Sequence, residues 1–262
     1  MTYIIGEKLN SSVPSTGKAM LEGDMQFLSE LIHSQSDAKA DCLDVNAALC
    51  GDNEVEMLCR LVDIIKSETN CHIMLDSPSP QAIIAALPHT EGRYTILNSV
   101  TADERLEELI PYAKEFSTGV VGLPIRSGAI PTTAEERLSN AAVICERLTK
   151  AGITDKDIYI DALAEAVATE PEAGKRLLES VRLIRREFPS VHLICGLSNV
   201  SFGLPKRGNL NSAAAILLSD AGMDCFIADA ASPSLKMALA SYGAFSGNDE
   251  YCIEYISHIR SL

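Results

Sequence analysis

Val191-His192-Leu193-Ile194-Cys195 is a β-rich, mostly apolar run that breaks into the loop sequence Gly196-Leu197-Ser198-Asn199, and a segment of helical periodicity follows it. This order predicts a strand, a turn and a helix. Seven further β-rich runs occur in the chain, each followed by a helix-length segment. The eight predicted strands span residues 3–5, 42–45, 72–75, 94–97, 119–123, 158–160, 191–195 and 225–228.

Strand and helix in regular alternation indicate parallel strands joined by right-handed crossovers. Eight such units in 262 residues match an α/β fold of the (β/α)8 TIM barrel type, whereas a doubly wound open sheet of this length would need fewer strands. No Gly/Ser-rich linker or abrupt change in charge divides the chain. The sequence therefore predicts a single domain over residues 1–262.

Capping patterns predict where two of the helices begin. Thr133 precedes Glu136 by three residues, and Thr169 precedes Pro171. The last segment, residues 248–262, places Tyr255, Ile256 and other apolar residues on one face. We expect this segment either to cap the barrel or to pack against a second subunit.

Composition excludes some classes of function. A net charge of −14 argues against a broad nucleic-acid surface, which would need clustered Lys and Arg. No stretch approaches the ~20 apolar residues that span a bilayer, and no basic-then-apolar leader is present, so we expect a cytoplasmic protein without membrane contact. The eight cysteines show no C-x-x-C pair, which favours reduced packing residues, and no metal site is predicted.

Polar residues stand at the ends of seven of the eight predicted strands. In such barrels the chemistry lies at the carboxyl ends of the strands, here called the mouth. Asp and Asn at these positions could also begin turns or cap helices, an alternative that is strongest for Asp76 in Asp76-Ser77-Pro78. The residues at the seven ends are Glu7 to Asn10, Asp44 and Asn46, Asp76, Asn98, Asp161, Asn199 and Asp229.

A mouth rich in carboxylates and amides but poor in Lys and Arg does not suit a phosphosugar. It suits a neutral ligand with many N–H donors, such as a reduced pterin, whose ring N–H and amino group can both donate to one carboxylate. Metal binding is the competing use of carboxylates. It is less favoured because the histidines are scattered, with His72 and His192 at strand starts.

The chain resembles the pterin-binding methyltransferases that exchange a methyl group between tetrahydrofolate and a corrinoid, and it is most similar to the methyltetrahydrofolate:corrinoid protein methyltransferases. The folate module of cobalamin-dependent methionine synthase is a more distant likeness. The resemblance covers essentially the whole chain, and residues 196–201 are its most specific part. It rests on residues 4–10, Leu75-Asp76, Leu97-Asn98-Ser99, Tyr159-Ile160-Asp161 and Gly196-Leu197-Ser198-Asn199-Val200-Ser201.

This resemblance implies roles for individual residues. Asp76, Asn98 and Asp161 would hold the pterin ring, and Asn199 would lie near N5, the nitrogen that carries the methyl group. The same pattern places Gly196 and Ser198 in the pocket wall and lets Arg207 contact the pterin or the folate tail.

The resemblance also implies the partners. Tetrahydrofolate or 5-methyltetrahydrofolate is the substrate, a corrinoid protein supplies the cobalamin-type cofactor, and the enzyme is a homodimer. Transfer in either direction is compatible with the sequence. The apolar loop Phe202-Gly203-Leu204-Pro205 is a candidate contact for the corrin ring.

Two alternatives remain open. A dihydropteroate synthase-like enzyme would also be a pterin barrel, but that family typically has a basic turn after strand seven, where this chain has Ser198-Asn199-Val200. A non-catalytic barrel subunit of a corrinoid complex would have no need for the polar residues of the pocket.

Overall fold

Eight parallel strands pair in chain order and close into a barrel, because the last strand also pairs with the first. The strands are β1 (Tyr3–Asn10), β2 (Cys42–Asn46), β3 (His72–Asp76), β4 (Thr95–Thr101), β5 (Gly119–Leu123), β6 (Ile158–Asp161), β7 (His192–Gly196) and β8 (Cys225–Ala228). The predicted (β/α)8 barrel is confirmed. This computed structural model describes residues 2–102 and 104–260, so Met1, Asp103, Ser261 and Leu262 of the predicted domain lie outside the described residues.

Helices follow each strand in the chain. They are α1 (Pro14–Glu22), α2 (Met25–Asp37), α3 (Glu54–Glu68), α4 (Pro80–Ala86), α5 (Glu104–Glu115), α6 (Ala134–Lys150), α7 (Ala173–Glu187), α8 (Leu197–Val200), α9 (Arg207–Ala221), α10 (Pro233–Ser246) and α11 (Ile253–Arg260). The four-residue helix α8 begins directly after β7 and contains the Ser198-Asn199 turn. The final helix, α11, contacts α10.

Side chains on the strands alternate between the barrel interior and the surrounding helices. Leu43, Val45 and Leu193 face outward and join the large core against the helices. An inner apolar layer fills the barrel and consists of Ile5, Cys42, Met74, Ile96, Val121, Tyr159, Ile194 and Cys225. Two positions further along their strands, Met74, Ile96, Tyr159 and Ile194 are followed by Asp76, Asn98, Asp161 and Gly196. Strand periodicity therefore places these four positions on the interior side at the mouth.

Two strands are longer than their apolar runs predict. Strand β1 continues to Asn10, with an irregularity in its pairing to β2 between Gly6 and Leu9, and β4 continues to Thr101. Glu7 and Asn98 therefore lie within strands and not after them. The apolar runs end early because the interior of the barrel is polar at the mouth, while the backbone pairing goes on.

The two predicted helix starts have different outcomes. The Thr133 hydroxyl accepts a hydrogen bond from the backbone N–H of Glu136 at 3.2 Å, as a capping residue of α6 should. The start at Thr169 is wrong. Helix α7 begins at Ala173, and the Thr169 hydroxyl instead donates to the carbonyl of Ala166 at 3.1 Å, because residues 166–170 form a separate turn.

No helix in the described part of the chain is both long and apolar enough to cross a membrane. All eight cysteines are free thiols, and six of them are buried. The thiols of Cys42, Cys195 and Cys225 have pKa values raised well above the usual range by burial, as packing residues would.

Candidate active site at the mouth of the barrel

Asp76 and Asn98 are register partners on the adjacent strands β3 and β4, so the structure brings these two predicted pterin-binding residues side by side. Asp76 also accepts a hydrogen bond from the side-chain amide of Asn46 on β2 at 2.8 Å. The oxygen of that amide accepts in turn from the Ser11 hydroxyl at 3.2 Å and from the Ala48 backbone at 3.1 Å. Asn46 therefore holds Asp76 in place.

The alternative that Asp76 caps the next helix does not hold. Ser79 is the capping residue of α4, and its hydroxyl accepts from the backbone N–H of Ala82 at 3.3 Å. Asp76 is the last residue of β3 and faces the barrel interior. Its carboxylate therefore remains directed to the mouth.

Asp161, the last residue of β6, lies near the buried side chain of Arg137. Its carboxylate accepts from the backbone N–H of Leu163 at 2.7 Å. Burial raises the pKa of Asp161 to about 6, against the opposing effects of that N–H and of Arg137. The Asp161 carboxyl therefore keeps its proton to a higher pH than an ordinary aspartate does.

Arg137 supports the loop that follows Asp161. This fully buried side chain donates to the carbonyls of Ala162 at 2.9 Å and Leu163 at 2.8 Å, and it pairs with Glu165. Arg137 was not predicted from the sequence. The available signal was its place on the apolar stripe of α6, four residues before the buried Ala141.

The turn after β7 holds three predicted site residues. The Ser198 hydroxyl donates to the carboxylate of Glu7 at 2.8 Å, which ties the turn to β1. Arg207 donates to the carbonyl of Ser198 at 2.6 Å and to the hydroxyl of Ser201 at 3.1 Å. Arg207 therefore supports the turn, and its remaining surface is exposed.

Asn199 differs from the other residues of this turn. Its side chain is exposed, and it has no side-chain hydrogen bond to any residue that the structure describes. It lies over Gly196, where an added Cβ would come within 3.0 Å of the Asn199 Nδ2 atom. Glycine at 196 therefore leaves room for the amide beside the strand end.

A cavity of about 210 Å³ lies next to this turn. Its polar lining comprises Glu7, Lys8, Ser198, Arg207, Asn211, Asp229 and Ser232. The prediction of a mouth poor in cations is only partly right, because Lys8 and Arg207 both line this cavity. Lys8 is paired with Asp229 at 2.8 Å, so its charge is offset within the protein.

The opposite end of the barrel carries a separate polar group. The ligand atoms of His192, Asp224 and Cys225 lie within 4.8 Å of one another, the only such group found among the described residues. Asp224 is already engaged by His192 at 3.0 Å, Arg185 at 3.4 Å and the backbone N–H of Leu193 at 2.8 Å. Burial acts to raise the pKa of Asp224, but these contacts together outweigh it and lower that pKa.

The chain matches the family of pterin binding enzymes over residues 7–229. It belongs to this family. Among curated pterin-binding relatives it is 30% identical, over 260 residues, to the methylcorrinoid:tetrahydrofolate methyltransferase of Eubacterium limosum, covering 98% of this chain and 96% of that protein. It is 29% identical over 242 residues to the methionine synthase of Mycobacterium tuberculosis, spanning 87% of this chain but only 20% of the relative. The predicted enzyme class, a methyltransferase, is confirmed by these relatives.

Solved structures of similar fold are pterin-binding enzymes too. A dihydropteroate synthase from Yersinia pestis superposes with a TM-score of 0.70 at 16% identity, covering 94% of this chain and 95% of that one. One from Xanthomonas albilineans superposes with a TM-score of 0.68 at 18% identity, covering 94% and 93%. At this level of identity the likeness shows the shared fold alone.

Asp161→Asn should change the pH dependence of stability in a direction set by the raised pKa. The folded protein binds the Asp161 proton more tightly than the unfolded chain, so wild-type stability declines as pH rises from about 4 through about 6. The variant lacks this decline. We expect its free energy of unfolding, relative to wild type, to increase by about 1 to 3 kcal/mol between about pH 4 and about pH 7 in urea titrations.

Asp224→Asn is the matched control, because the pKa of Asp224 is lowered and its ionised form stabilises the fold. Its contribution to stability is complete above about pH 4 and is lost only at lower pH, so between about pH 4 and about pH 7 this variant should be less stable than wild type by a nearly constant amount. A rise in relative stability across that interval in both variants would contradict the assignment for Asp161.

Proposed function

We propose that this chain exchanges a methyl group between N5 of tetrahydrofolate and the cobalt of a corrinoid carried by a partner protein. One observation carries the proposal: the exposed, uncharged amide of Asn199 stands at the end of β7, at the same mouth as Asp76, Asn98 and Asp161. The name of the full-length relative from Eubacterium limosum supports transfer from the methylcorrinoid to tetrahydrofolate.

The three strand-end residues provide the chemistry to bind a pterin. A carboxylate can accept two parallel hydrogen bonds from a ring N–H and an exocyclic amino group, and an amide can both donate and accept. Asp76, held by Asn46, and Asp161, backed by Leu163 N–H, supply the carboxylates. Asn98 supplies the amide next to Asp76. With a pKa of about 6, Asp161 is mostly ionised at neutral pH.

The turn after β7 forms the proposed wall of the pocket. Gly196 has no side chain to fill the space below Asn199, and Ser198 is tied to Glu7. Arg207 holds the Ser198 carbonyl and keeps part of its guanidinium exposed for the folate tail. These contacts fix the turn around Asn199, whose exposed amide has no side-chain hydrogen bond to the described residues.

Asn199 suits a nitrogen whose charge changes during the reaction. The corrinoid supplies a cobalt that gives up or accepts the methyl group. When N5 receives the methyl group, it gains positive charge and then loses a proton. The amide nitrogen of Asn199 can donate to the neutral N5, and the amide oxygen can accept from the protonated one. A contact that is stronger in the transition state than in the ground state accelerates the reaction.

The surface beside Asn199 is accessible to a second macromolecule. Phe202, three residues further on, has 66% of its surface exposed, and the loop to Lys206 is largely exposed as well. This exposure supports our proposal that the corrinoid reaches the mouth on a partner protein, with the 202–205 loop as a contact.

A methyl-transfer assay tests the function. We expect the purified protein to demethylate methylcobalamin or a methylated corrinoid protein with tetrahydrofolate, and to run the reverse reaction with 5-methyltetrahydrofolate and the Co(I) corrinoid, followed by the visible spectrum. Turnover of a pterin pyrophosphate with an aromatic amine, in the absence of methyl transfer, would favour a dihydropteroate synthase. Tetrahydrofolate binding without either activity would favour a non-catalytic subunit.

Two variants separate the roles of the mouth residues. Asn199→Ala should slow methyl transfer by about 10² to 10³ while the Kd for tetrahydrofolate rises less than about fivefold, because the contact matters most in the transition state. Asp76→Asn should show the reverse pattern, weakening binding by at least about tenfold, because the acceptor pair becomes a donor and an acceptor. Equal losses of rate and affinity in Asn199→Ala would reduce Asn199 to a positioning role.

We also propose a cytoplasmic homodimer, with the outer face of the last two helices as the contact. Exposed apolar side chains gather there on α10, α11 and the link between them: Phe245, Tyr251, Ile253, Ile256 and Ile259. An apolar patch of this kind on a protein surface usually marks an interaction site.

The Ile256→Asp variant should sediment as a monomer in sedimentation velocity experiments. The Val55→Asp variant, which changes an exposed apolar residue on α3, should still sediment as a dimer. A monomeric wild type would overturn the proposal.

A further inference from the structure

Asp44 is the most deeply buried carboxyl of the described chain, with only 3% of its surface exposed. It lies on β2, two residues before Asn46, so strand alternation turns both side chains into the barrel. One of its oxygens, Oδ1, has no hydrogen-bond partner among the described residues. Buried polar atoms in proteins are almost always paired, and this exception stands directly beneath the proposed pterin pocket.

The groups that face Asp44 are themselves acidic. Asp76 on β3 and Glu7 on β1 both raise the pKa of Asp44, in addition to the larger effect of burial. Cys42 on the same strand is a neutral thiol whose own pKa is raised. Three carboxyls on neighbouring strands cannot all remain ionised in a buried site.

The nearby hydrogen-bond donors and cations are committed elsewhere. The Asn46 amide donates to Asp76, Lys8 pairs with Asp229, and Arg207 donates to Ser198 and Ser201. Asp76 is therefore the carboxyl that receives support, and Asp44 is the one that must carry a proton. A protonated carboxyl is a hydrogen-bond donor.

We propose that Asp44 is a positioning residue of the pterin pocket: as a neutral carboxylic acid it donates a hydrogen bond toward Asp76 and keeps Asp76 as the ionised acceptor for the ligand. This proposal rests on the proposed function of the mouth. It adds Asp44 to the three polar residues that meet the pterin, as a carboxyl that acts through Asp76 and does not contact the reacting atoms.

Burial of such an acid is unfavourable for the fold. The neighbouring interior residues are Cys42 on the same strand and Met74 on β3. Both are apolar and fill the barrel without burying an unpaired polar atom. A polar group at this depth costs stability unless it is fully hydrogen-bonded. Such a cost is common where a site needs a particular charge state.

The test compares Asp44→Asn with Asp44→Leu in the full-length protein. Asparagine is uncharged and keeps an N–H donor, so the Kd for tetrahydrofolate measured by calorimetry should stay within about threefold of wild type. Leucine has a similar volume but no donor, and Asp76 would lose its support, so the Kd should rise by at least about tenfold. Met74→Leu, an apolar exchange in the same interior, is the control and should bind as wild type does.

An infrared spectrum of the ligand-free protein at neutral pH gives a readout independent of binding. Wild type should show the carbonyl stretch of a protonated carboxylic acid that Asp44→Asn lacks. Thermal unfolding of both variants checks that they are folded, and Asp44→Ala replaces the leucine variant if that one does not fold.

Each result has a defined meaning. An equal loss of affinity in the asparagine and leucine variants would show that the ionised carboxylate is needed, and unchanged affinity in the leucine variant would show that Asp44 has no part in the site. Either result overturns the proposal, as does an infrared difference of zero. If wild type binds tetrahydrofolate but transfers no methyl group, the function proposed above fails while the role of Asp44 is still tested.

Discussion

The alternation of side chains along parallel strands is the constraint on which the mouth of this barrel depends. Within a closed barrel every second residue faces the interior, and the interior below the mouth is filled by an apolar layer that includes Met74, Ile96 and Tyr159. The next inward positions are Asp76, Asn98 and Asp161. A shift of one residue in any strand would turn its polar residue toward the helices, so the packing of the core and the composition of the site are set together.

One small region of the barrel accommodates several carboxyls. Each is treated differently by its neighbours: Asp76 receives the Asn46 amide, Asp161 receives a backbone N–H near the buried Arg137, and Asp229 pairs with Lys8. Asp44 receives no such partner at Oδ1 from any residue that the structure describes. These carboxyls therefore differ in their affinity for a proton, although they are chemically alike. Such differences allow one site both to bind a ligand and to respond to it.

The sequence predicted the barrel well because its signal is repeated eight times and each repeat is independent of the others. It predicted the polar residues at the mouth for a related reason, since each apolar run gives way to polar residues near the carboxyl end of its strand, where the chemistry of such barrels lies. It did less well with single residues. The helix start at Thr169 was wrong, because a local capping pattern does not show that residues 166–170 close a turn of their own. Arg137 lies within a helix, far along the chain from the strand end that it supports.

By itself, the sequence determined the order of strands and helices, the polar identity of the strand ends and the turn Gly196-Leu197-Ser198-Asn199, because these follow from local periodicity and from residues adjacent in the chain. Only the tertiary structure decided which of these polar groups are paired. Ser198 meets Glu7 from a position 191 residues away, and Asn46 meets Asp76 across two strands. Hydrogen bonds and burial depend on distances between residues that are remote in sequence. The raised pKa of Asp44 and the exposed Asn199 amide, which is unpaired among the described residues, therefore emerge only when the barrel closes.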